Sequence, residues 1–130
     1  MNASDLRLTI LPDDLAICRL GSEEALPDWL FWRADLVSVT RTPDELSIVC
    51  PAGDVPDGVK AERGWRAFKV AGPLDLALTG VLARLTAPLA EAGISVFALA
   101  TFDTDYLLVR EADLGHAARV LAGVAEISQG

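Results

Sequence analysis

Residues 72–111 constrain the fold more than any other segment, because helix and strand patterns follow one another there. From residue 76 the apolar residues recur at helical spacing, and they are Leu78, Val81, Leu82, Leu85 and Leu89. Residues 94–100 are almost continuously apolar, which is typical of a strand that is covered on both faces or lies at an interface. Asp103 and Thr104 are predicted to form a tight turn, from which residues 105–109 return as a strand.

Breaking and capping residues mark the ends of this predicted helix. The Gly-Pro pair at residues 72–73 ends the preceding strand, and Asp75 is the predicted N-cap. Gly93 is the predicted C-cap residue. Pro88 should kink or unwind the last turn, because proline lacks the N–H that an interior helix position donates.

The second half of the chain is predicted to form one βαββαβ unit. Residues 65–70 alternate as a first strand, and Asp113 is the predicted N-cap of a second amphipathic helix. Residues 125–128 are a candidate last strand. The resulting order over residues 59–130 is that of a ferredoxin-like split βαβ unit.

The first half is predicted to be rich in strands and poor in helix. Four segments have strand character, namely residues 6–11, 15–20, 36–40 and 45–50. Residues 23–32 are predicted to be a short helix or a loop held by aromatic side chains, and residues 42–44 a tight turn. Residues 51–58, rich in proline and glycine, are the predicted link between domains. We therefore expect an α+β chain of two ferredoxin-like units, residues 1–58 with reduced helix content and residues 59–130.

Charge and hydropathy exclude several classes of partner. The 130 residues carry a net charge of −8, which repels nucleic acid and anionic membranes. No apolar run reaches the roughly 18 residues that a membrane-spanning helix needs. The N-terminal residues lack the basic start and long apolar stretch of a signal peptide, so we expect a cytoplasmic protein.

Two cysteines, Cys18 and Cys50, each lie in an apolar strand pattern. They are predicted to be small buried hydrophobes, and a disulfide is the alternative that a cytoplasmic setting disfavours. No CxxC or Cys/His cluster is present, so neither a metal site nor a cofactor is predicted.

The chain resembles the ACT domain family of small βαββαβ modules that bind amino acids and regulate metabolism. The residues that carry the resemblance are GPLDLALTGVLARLTAPLAEAGIS, VFALATFDTDYLLVREADL, ELSIVCP and VKAERGWRAFKV. More narrowly, it is similar to bacterial tandem-ACT proteins and the related eukaryotic cytosolic arginine sensor. The resemblance implies two ACT-like units, a homodimer, and a free amino acid bound at an interface between units, and it covers the chain from about residue 36 onward.

The resemblance also implies the ligand-binding residues. One unit would contribute the start of a strand, at Ser95 and Val96. The other would contribute a helix start and an acidic turn, at Thr79, Gly80, Thr101, Phe102 and Asp105. The arginine sensor has acidic residues just before its helix glycine, where this chain has Ala77, Leu78 and Thr79. An arginine guanidinium would therefore lack those carboxylate partners here.

The residues themselves favour binding over catalysis. Gly80 is explained either by close approach of a ligand or by helix packing that tolerates no Cβ. Asp105 could pair with a ligand ammonium group or with a backbone N–H, whereas Asp103 is expected to be a turn residue rather than a metal ligand. Ser95 has no predicted base or nucleophile elbow, and His116, the one histidine, is expected at the surface.

The three tryptophans, Trp29, Trp32 and Trp65, are expected to anchor a core or an interface rather than contact a ligand. No residue set in the sequence has the pattern of a catalytic site, so no enzymatic activity is predicted. The sequence therefore predicts a regulatory protein that binds an amino acid and signals through its dimer or a protein partner. The alternative is a structural or protein-interaction domain without a ligand.

Overall fold

The computed structural model describes residues 6–71 and 80–130, which form two compact units of an α+β, ACT-like chain. Asp13–Trp65 form one unit, and the chain up to Pro12 together with Arg66–Gly130 forms the other. The strands are β1 (Arg7–Ile10), β2 (Leu15–Leu20), β3 (Ser38–Arg41), β4 (Leu46–Pro51), β5 (Ala61–Val70), β6 (Val96–Ala100), β7 (Asp105–Arg110) and β8 (Glu126–Gln129). The helices are α1 (Val81–Glu91) and α2 (Leu114–Leu121).

The Asp13–Trp65 unit is built from antiparallel strands in the order β3-β4-β2-β5. One apolar face gives a cluster of buried residues, namely Ala16, Cys18, Leu30, Leu46, Ile48, Cys50 and Val55. Residues 23–32 form turns and loop rather than a helix, and the tight turn at residues 42–44 closes with Thr42 N–H donating to Glu45 O at 2.9 Å. Every residue of this unit is described and none lies in an α-helix. The reduced helix content predicted for residues 1–58 is confirmed for residues 13–58, the part that the two share.

The second unit includes both α-helices and the part of β5 from Arg66 onward. Its strand order is β8-β1-β5-β7-β6. Its core combines the helices and the sheet, and its buried residues include Leu8, Phe68, Leu85, Leu107 and Leu121. Strand β1 lies antiparallel to β5 and parallel to β8, so it belongs to this unit. The alternation of residues 6–11 predicts a strand, but the choice of its pairing partners depends on long-range contacts that the pattern does not encode.

Helix α1 begins at Val81 and continues through Pro88 to Glu91. The predicted C-cap is confirmed, because Gly93 has a φ of 76° and its N–H donates to Ala90 O at 3.0 Å. The next N–H, that of Ile94, donates to Leu89 O at 2.9 Å and completes a Schellman motif. The predicted N-cap Asp75, the Gly-Pro break at residues 72–73, and residues 76–79 lie outside the described residues.

Helix α2 begins where predicted but is capped differently. Asp113 occupies the N-cap position, yet its side chain makes no capping hydrogen bond. A 3-10 turn, Glu111–Asp113, leads into the helix instead, and Asp113 consequently has φ −96° and ψ −2° rather than extended backbone. The prediction of a side-chain cap was therefore wrong, because a capping side chain needs an extended residue at that position.

Strand β6 is only half-buried, and within the described chain it pairs with β7 alone. The apolar sequence of β6 predicted either a strand that is covered on both faces or a strand at an interface. The half-burial of β6 in the described chain disagrees with the first of these explanations. Among residues 6–71 and 80–130, no strand pairs with the edge of β6 that faces away from β7. In the described part of the chain, no helix is long and apolar enough to cross a membrane.

Candidate functional site

The predicted site residues that the structure describes all lie in the Arg66–Gly130 part of the chain. Thr79, Ala77 and Leu78 are outside the described residues. Gly80 is at the start of α1, and the others fall into two groups at opposite ends of β6. Ser95 and Val96 are at its start, whereas Thr101, Phe102 and Asp105 follow its end.

A buried threonine anchors the acidic turn. Thr101 N–H donates to Thr104 O at 2.8 Å, and Thr104 N–H donates to Thr101 Oγ1 at 3.2 Å. Thr104 is 5% exposed, and its hydroxyl donates to Val70 O at 2.7 Å. Because Val70 ends β5, the turn is fixed to the strand from which the chain continues toward α1. From the sequence, Thr104 was predicted only as a turn residue, and no local pattern indicated that its hydroxyl would be buried.

Replacing Thr104 with valine should lower the free energy of unfolding by about 1–3 kcal/mol, because the buried Val70 carbonyl loses its hydroxyl donor. Chemical denaturation measures this loss. Thr104→Ser is the matched control, since it keeps the hydroxyl, and it should recover most of the stability. Equal stability of the valine and serine variants would contradict the anchoring role of the hydroxyl.

Gly80 lies at the N-cap of α1 rather than in the helix interior, and its φ is 80°. A Cβ built on Gly80 would meet no described atom within 4 Å, so the packing explanation for this glycine was wrong. The left-handed backbone is the physical reason for glycine, because other residues are strained there. No acidic side chain lies in the first turn of α1, and no side chain of the described residues caps it. The N–H groups at a helix start and the helix dipole favour a negatively charged group.

We expect Gly80→Ala to destabilise the protein by about 1–2 kcal/mol, the cost of a Cβ in left-handed backbone. For a chain of this length the melting temperature should fall by roughly 3–8 °C. Gly53→Ala is the control, since a Cβ there also meets nothing and its φ is not positive. If both variants melted alike, the conformational explanation for Gly80 would fail.

The acidic turn presents one half-buried carboxylate and one exposed carboxylate. Asp105 opens β7 opposite Ala100 and is half-buried, whereas Asp103 is exposed. Among the described residues, the carboxylate of Asp105 has no hydrogen-bond or ion-pair partner. Phe102 is 81% exposed, which leaves its ring available to a ligand or to another protein surface.

The start of β6 is a different environment. Ser95 is exposed, and Val96 packs partly against the core of its unit. Six residue steps along an extended strand separate Ser95 from Thr101 by about 20 Å, which exceeds the length of a free amino acid. One copy of β6 therefore cannot bring both groups of residues onto one such ligand.

The remaining candidates behave as surface or core residues. His116 is exposed on α2, as predicted. Trp65 is buried and Trp29 packs against the core of the Asp13–Trp65 unit, whereas Trp32 is 62% exposed. In residues 6–71 and 80–130, no group of three or more His, Cys, Asp or Glu side chains could hold a metal ion.

The Asp13–Trp65 unit has a groove of about 750 Å³ between the end of β2, residues 24–29 and residues 58–60. It contains none of the predicted ligand-binding residues. It is wide open to solvent and is lined by charges of both signs, including those of Arg19, Asp28 and Lys60. The groove has no convergent set of buried polar groups, so we do not assign the ligand to it.

Comparison with known proteins agrees with the fold and with the amino-acid-sensor resemblance. The family profile of the ACT domain matches residues 60–123, and a second profile, of an N-terminal domain, matches residues 13–58. The bovine cytosolic arginine sensor for mTORC1 subunit 1 is 31% identical over 105 residues, which are 69% of this chain and 31% of the sensor. The chain thus spans about a third of the length of this curated relative.

Two solved structures extend the comparison. A protein from Agrobacterium tumefaciens is 40% identical with a TM-score of 0.89, and the match covers 96% of this chain and 93% of that protein. The regulatory subunit of aspartate kinase from Thermus thermophilus shares the fold, with a TM-score of 0.61 at 12% identity over 90% of this chain and 95% of that subunit. The βαββαβ order from β5 to β8 agrees with the matching profile, and residues 60–123 belong to the ACT domain family.

Proposed function

We propose that the protein is a regulatory protein that binds a free amino acid between ACT-type units and transmits binding through its dimer or a protein partner. The observation that carries the proposal is the acidic turn of Thr101 to Asp105. Thr104 ties this turn to the end of β5, from which the chain continues to the start of α1, which no side chain of the described residues caps. The division into ACT-type units at residues 58 and 59 is part of the proposal.

The chemistry of this end of the sheet suits a zwitterion. A ligand carboxylate would accept hydrogen bonds from the first N–H groups of α1, where the helix dipole favours an anion. The ligand ammonium would pair with the carboxylate of Asp105, whose charge no described side chain neutralises. Thr101 and the backbone of the turn would supply further polar contacts. In this scheme no residue acts as a nucleophile or base, and the role is not enzymatic.

A dimer would resolve the separation of the two residue groups. We propose that two copies pair through the edges of β6 that face away from β7, antiparallel about a twofold axis near Ala98. In that register Ser95 of one copy lies opposite Thr101 of its partner and Val96 lies opposite Ala100, since the two residues of each pair are equally far from residue 98. Two equivalent sites would result. Occupancy of both would favour one arrangement of the dimer, which a partner protein could recognise.

The protein should therefore behave as a dimer of about twice its 13.8 kDa. Ala98→Glu should shift it toward the monomer, because the two new carboxylates would face each other across the axis. Ala87→Glu, an equally exposed position on α1, is the control for the change in charge. Light scattering at several concentrations measures the mass. A monomeric wild-type protein would contradict the site across the dimer.

The ligand can be identified with a thermal-shift panel of the twenty amino acids, after removal of any co-purified ligand by dialysis from denaturant. A ligand at about 100 times its dissociation constant adds roughly 2.7 kcal/mol, a shift of several degrees at this size. We expect one or a few amino acids to stabilise the protein, and isothermal titration should reproduce the binding. No shift across the panel would contradict amino-acid binding.

A second function is favoured by the exposed apolar surface. Phe102 is 81% exposed, and the half-buried β6 has an edge that no described strand covers, which are features of a protein-interaction domain that needs no ligand. A silent panel combined with a stable dimer would favour this alternative. We further propose that the protein acts in the cytoplasm, in line with the cytosolic name of the arginine sensor.

A further inference from the structure

Both cysteines lie in the Asp13–Trp65 unit, on the neighbouring strands β2 and β4. In the register of β2 and β4, Ala16 pairs with Cys50 and Cys18 pairs with Ile48. The cysteines are thus offset by two residues and share one face of the sheet. Cys18 is 2% exposed and Cys50 is fully buried, and both belong to one apolar cluster. Both are free thiols.

The surroundings make the two thiols unequal. The hydrogen bond from Cys50 lowers the pKa of Cys18; burial opposes this shift, and the positive charge of Arg63 adds to it. The same hydrogen bond raises the pKa of Cys50, and burial, Cys18 and the carboxylate of Asp54 raise it further, against the effect of Arg63. Of the two thiols, Cys18 is therefore the one that loses its proton more readily, and Cys50 is the one that retains it.

Arg63 is held in place by the backbone. Its Nη1 donates to Ala52 O at 2.9 Å, and its Nη2 donates to Val55 O at 3.0 Å. These carbonyls belong to the turn that follows Cys50 and Pro51 in sequence. The guanidinium is thus a fixed positive charge near the thiol pair, a setting that activates cysteine thiolates.

We propose that Cys18 and Cys50 are a redox-active pair that forms a reversible intramolecular disulfide, with Cys18 as the attacking thiolate and Cys50 as the resolving thiol. The oxidant is a small peroxide, because the buried sulfur atoms exclude a protein disulfide. This activity is independent of amino-acid binding.

The chemistry balances in two steps. The thiolate Sγ of Cys18 attacks one oxygen of hydrogen peroxide, the O–O bond breaks, and hydroxide leaves to become water by taking a proton from solvent. The product is a sulfenic acid on Cys18. The Sγ of Cys50 then attacks the Sγ of Cys18, the S–O bond breaks, and the leaving hydroxide takes the thiol proton as water. The two thiols lose two electrons, and peroxide is reduced to two waters.

The offset of the two residues predicts that this disulfide is easily reduced. Diagonal neighbours on antiparallel strands have Cα atoms about 7–8 Å apart. Most disulfides need Cα separations of about 4.4–6.8 Å. The strands must move together slightly to close the bond, and a strained disulfide has a more oxidising potential than a structural one.

The first experiment treats the native full-length protein with hydrogen peroxide, then denatures it and alkylates it with N-ethylmaleimide before intact-mass measurement. We expect a monomeric chain that has lost two hydrogen atoms and takes up no maleimide. Dithiothreitol should restore uptake of two maleimides. Two alkylated thiols after peroxide, or a disulfide found only between chains, would overturn the proposal.

Single variants test the two roles. Cys50→Ala should leave a sulfenic acid on Cys18 that dimedone traps, whereas Cys18→Ala should leave Cys50 reduced at the same peroxide dose. The reverse pattern would overturn the assignment of the attacking and resolving thiols. Circular dichroism checks that both variants fold, and the wild-type result does not depend on them.

Arg63 is a positioning residue in this scheme. Arg63→Gln should move the pH profile of the oxidation rate to higher pH, because the thiolate of Cys18 loses a stabilising charge. Arg63→Lys should restore much of the profile, and Arg33→Gln in the same unit should leave it unchanged. An unchanged profile for Arg63→Gln would overturn this role of Arg63.

Discussion

Asp105→Ala should weaken amino-acid binding by roughly ten- to a hundredfold, because a charge-assisted hydrogen bond contributes about 1.5–3 kcal/mol. The fold should be unaffected, since Asp105 is half-buried and its carboxylate has no partner among the described residues. Isothermal titration with the amino acid identified by the thermal-shift panel measures the loss. Circular dichroism and melting temperature check the fold.

Asp103→Ala is the matched control for this prediction. The two aspartates are two residues apart on one turn and carry the same charge, but Asp103 is exposed and precedes β7. Its removal should change affinity by less than about threefold, the effect of an exposed and screened charge. Equal losses for the two variants would indicate a general electrostatic effect, and unchanged affinity in Asp105→Ala would remove Asp105 from the site.

The periodic parts of the fold were predictable from the sequence. The strand β2 was predicted with its observed bounds, and the predicted hairpin from residue 94 to residue 109 contains β6 and all of β7 except its last residue, Arg110. The strands have a regular spacing of apolar residues in the sequence, and the turns have residues that favour a specific backbone conformation. Gly93 is an example of the second kind, since its left-handed conformation closes α1.

Other features depend on contacts between distant segments, and local pattern does not specify them. Strand β1 has the alternation of any half-buried strand, and only the assembled sheet places it between β5 and β8. Residues 51–58 have linker composition, yet they lie within the compact Asp13–Trp65 unit. Arg63 helps to hold these residues in the unit, because its guanidinium donates hydrogen bonds to the carbonyls of Ala52 and Val55.

For the candidate site, residue types were predictable but conformations were not. Gly80 was singled out correctly as unusual, yet its positive φ is a property of the folded backbone. Thr104 escaped notice because a threonine in a turn is ordinary, and only burial next to Val70 O gives its hydroxyl a role. The sequence correctly placed Ser95 and Asp105 in the same unit. The distance between their two groups is set by the length of β6, which lies between them.

The start of α1 can bind a ligand only if the helix is held firmly on the sheet. Three buried residues, Val81, Leu85 and Leu89, form the stripe by which α1 packs into the core. The helix is short and contains Pro88, so it has little stability of its own. Its position therefore depends on the packing of this stripe.

Leu85→Ala should lower the free energy of unfolding by about 2–5 kcal/mol, because it leaves a cavity at the middle of that stripe, where Leu85 is fully buried. This is a large share of the roughly 5–15 kcal/mol that a domain of this kind has in total. Leu82→Ala on the same helix is the control, since Leu82 is 37% exposed and should cost about 1 kcal/mol or less. Urea denaturation measures both variants, and equal losses would show that α1 does not depend on this stripe.

Because a loosened α1 no longer fixes the N–H groups at its start, Leu85→Ala should also weaken amino-acid binding under conditions where the protein is still folded.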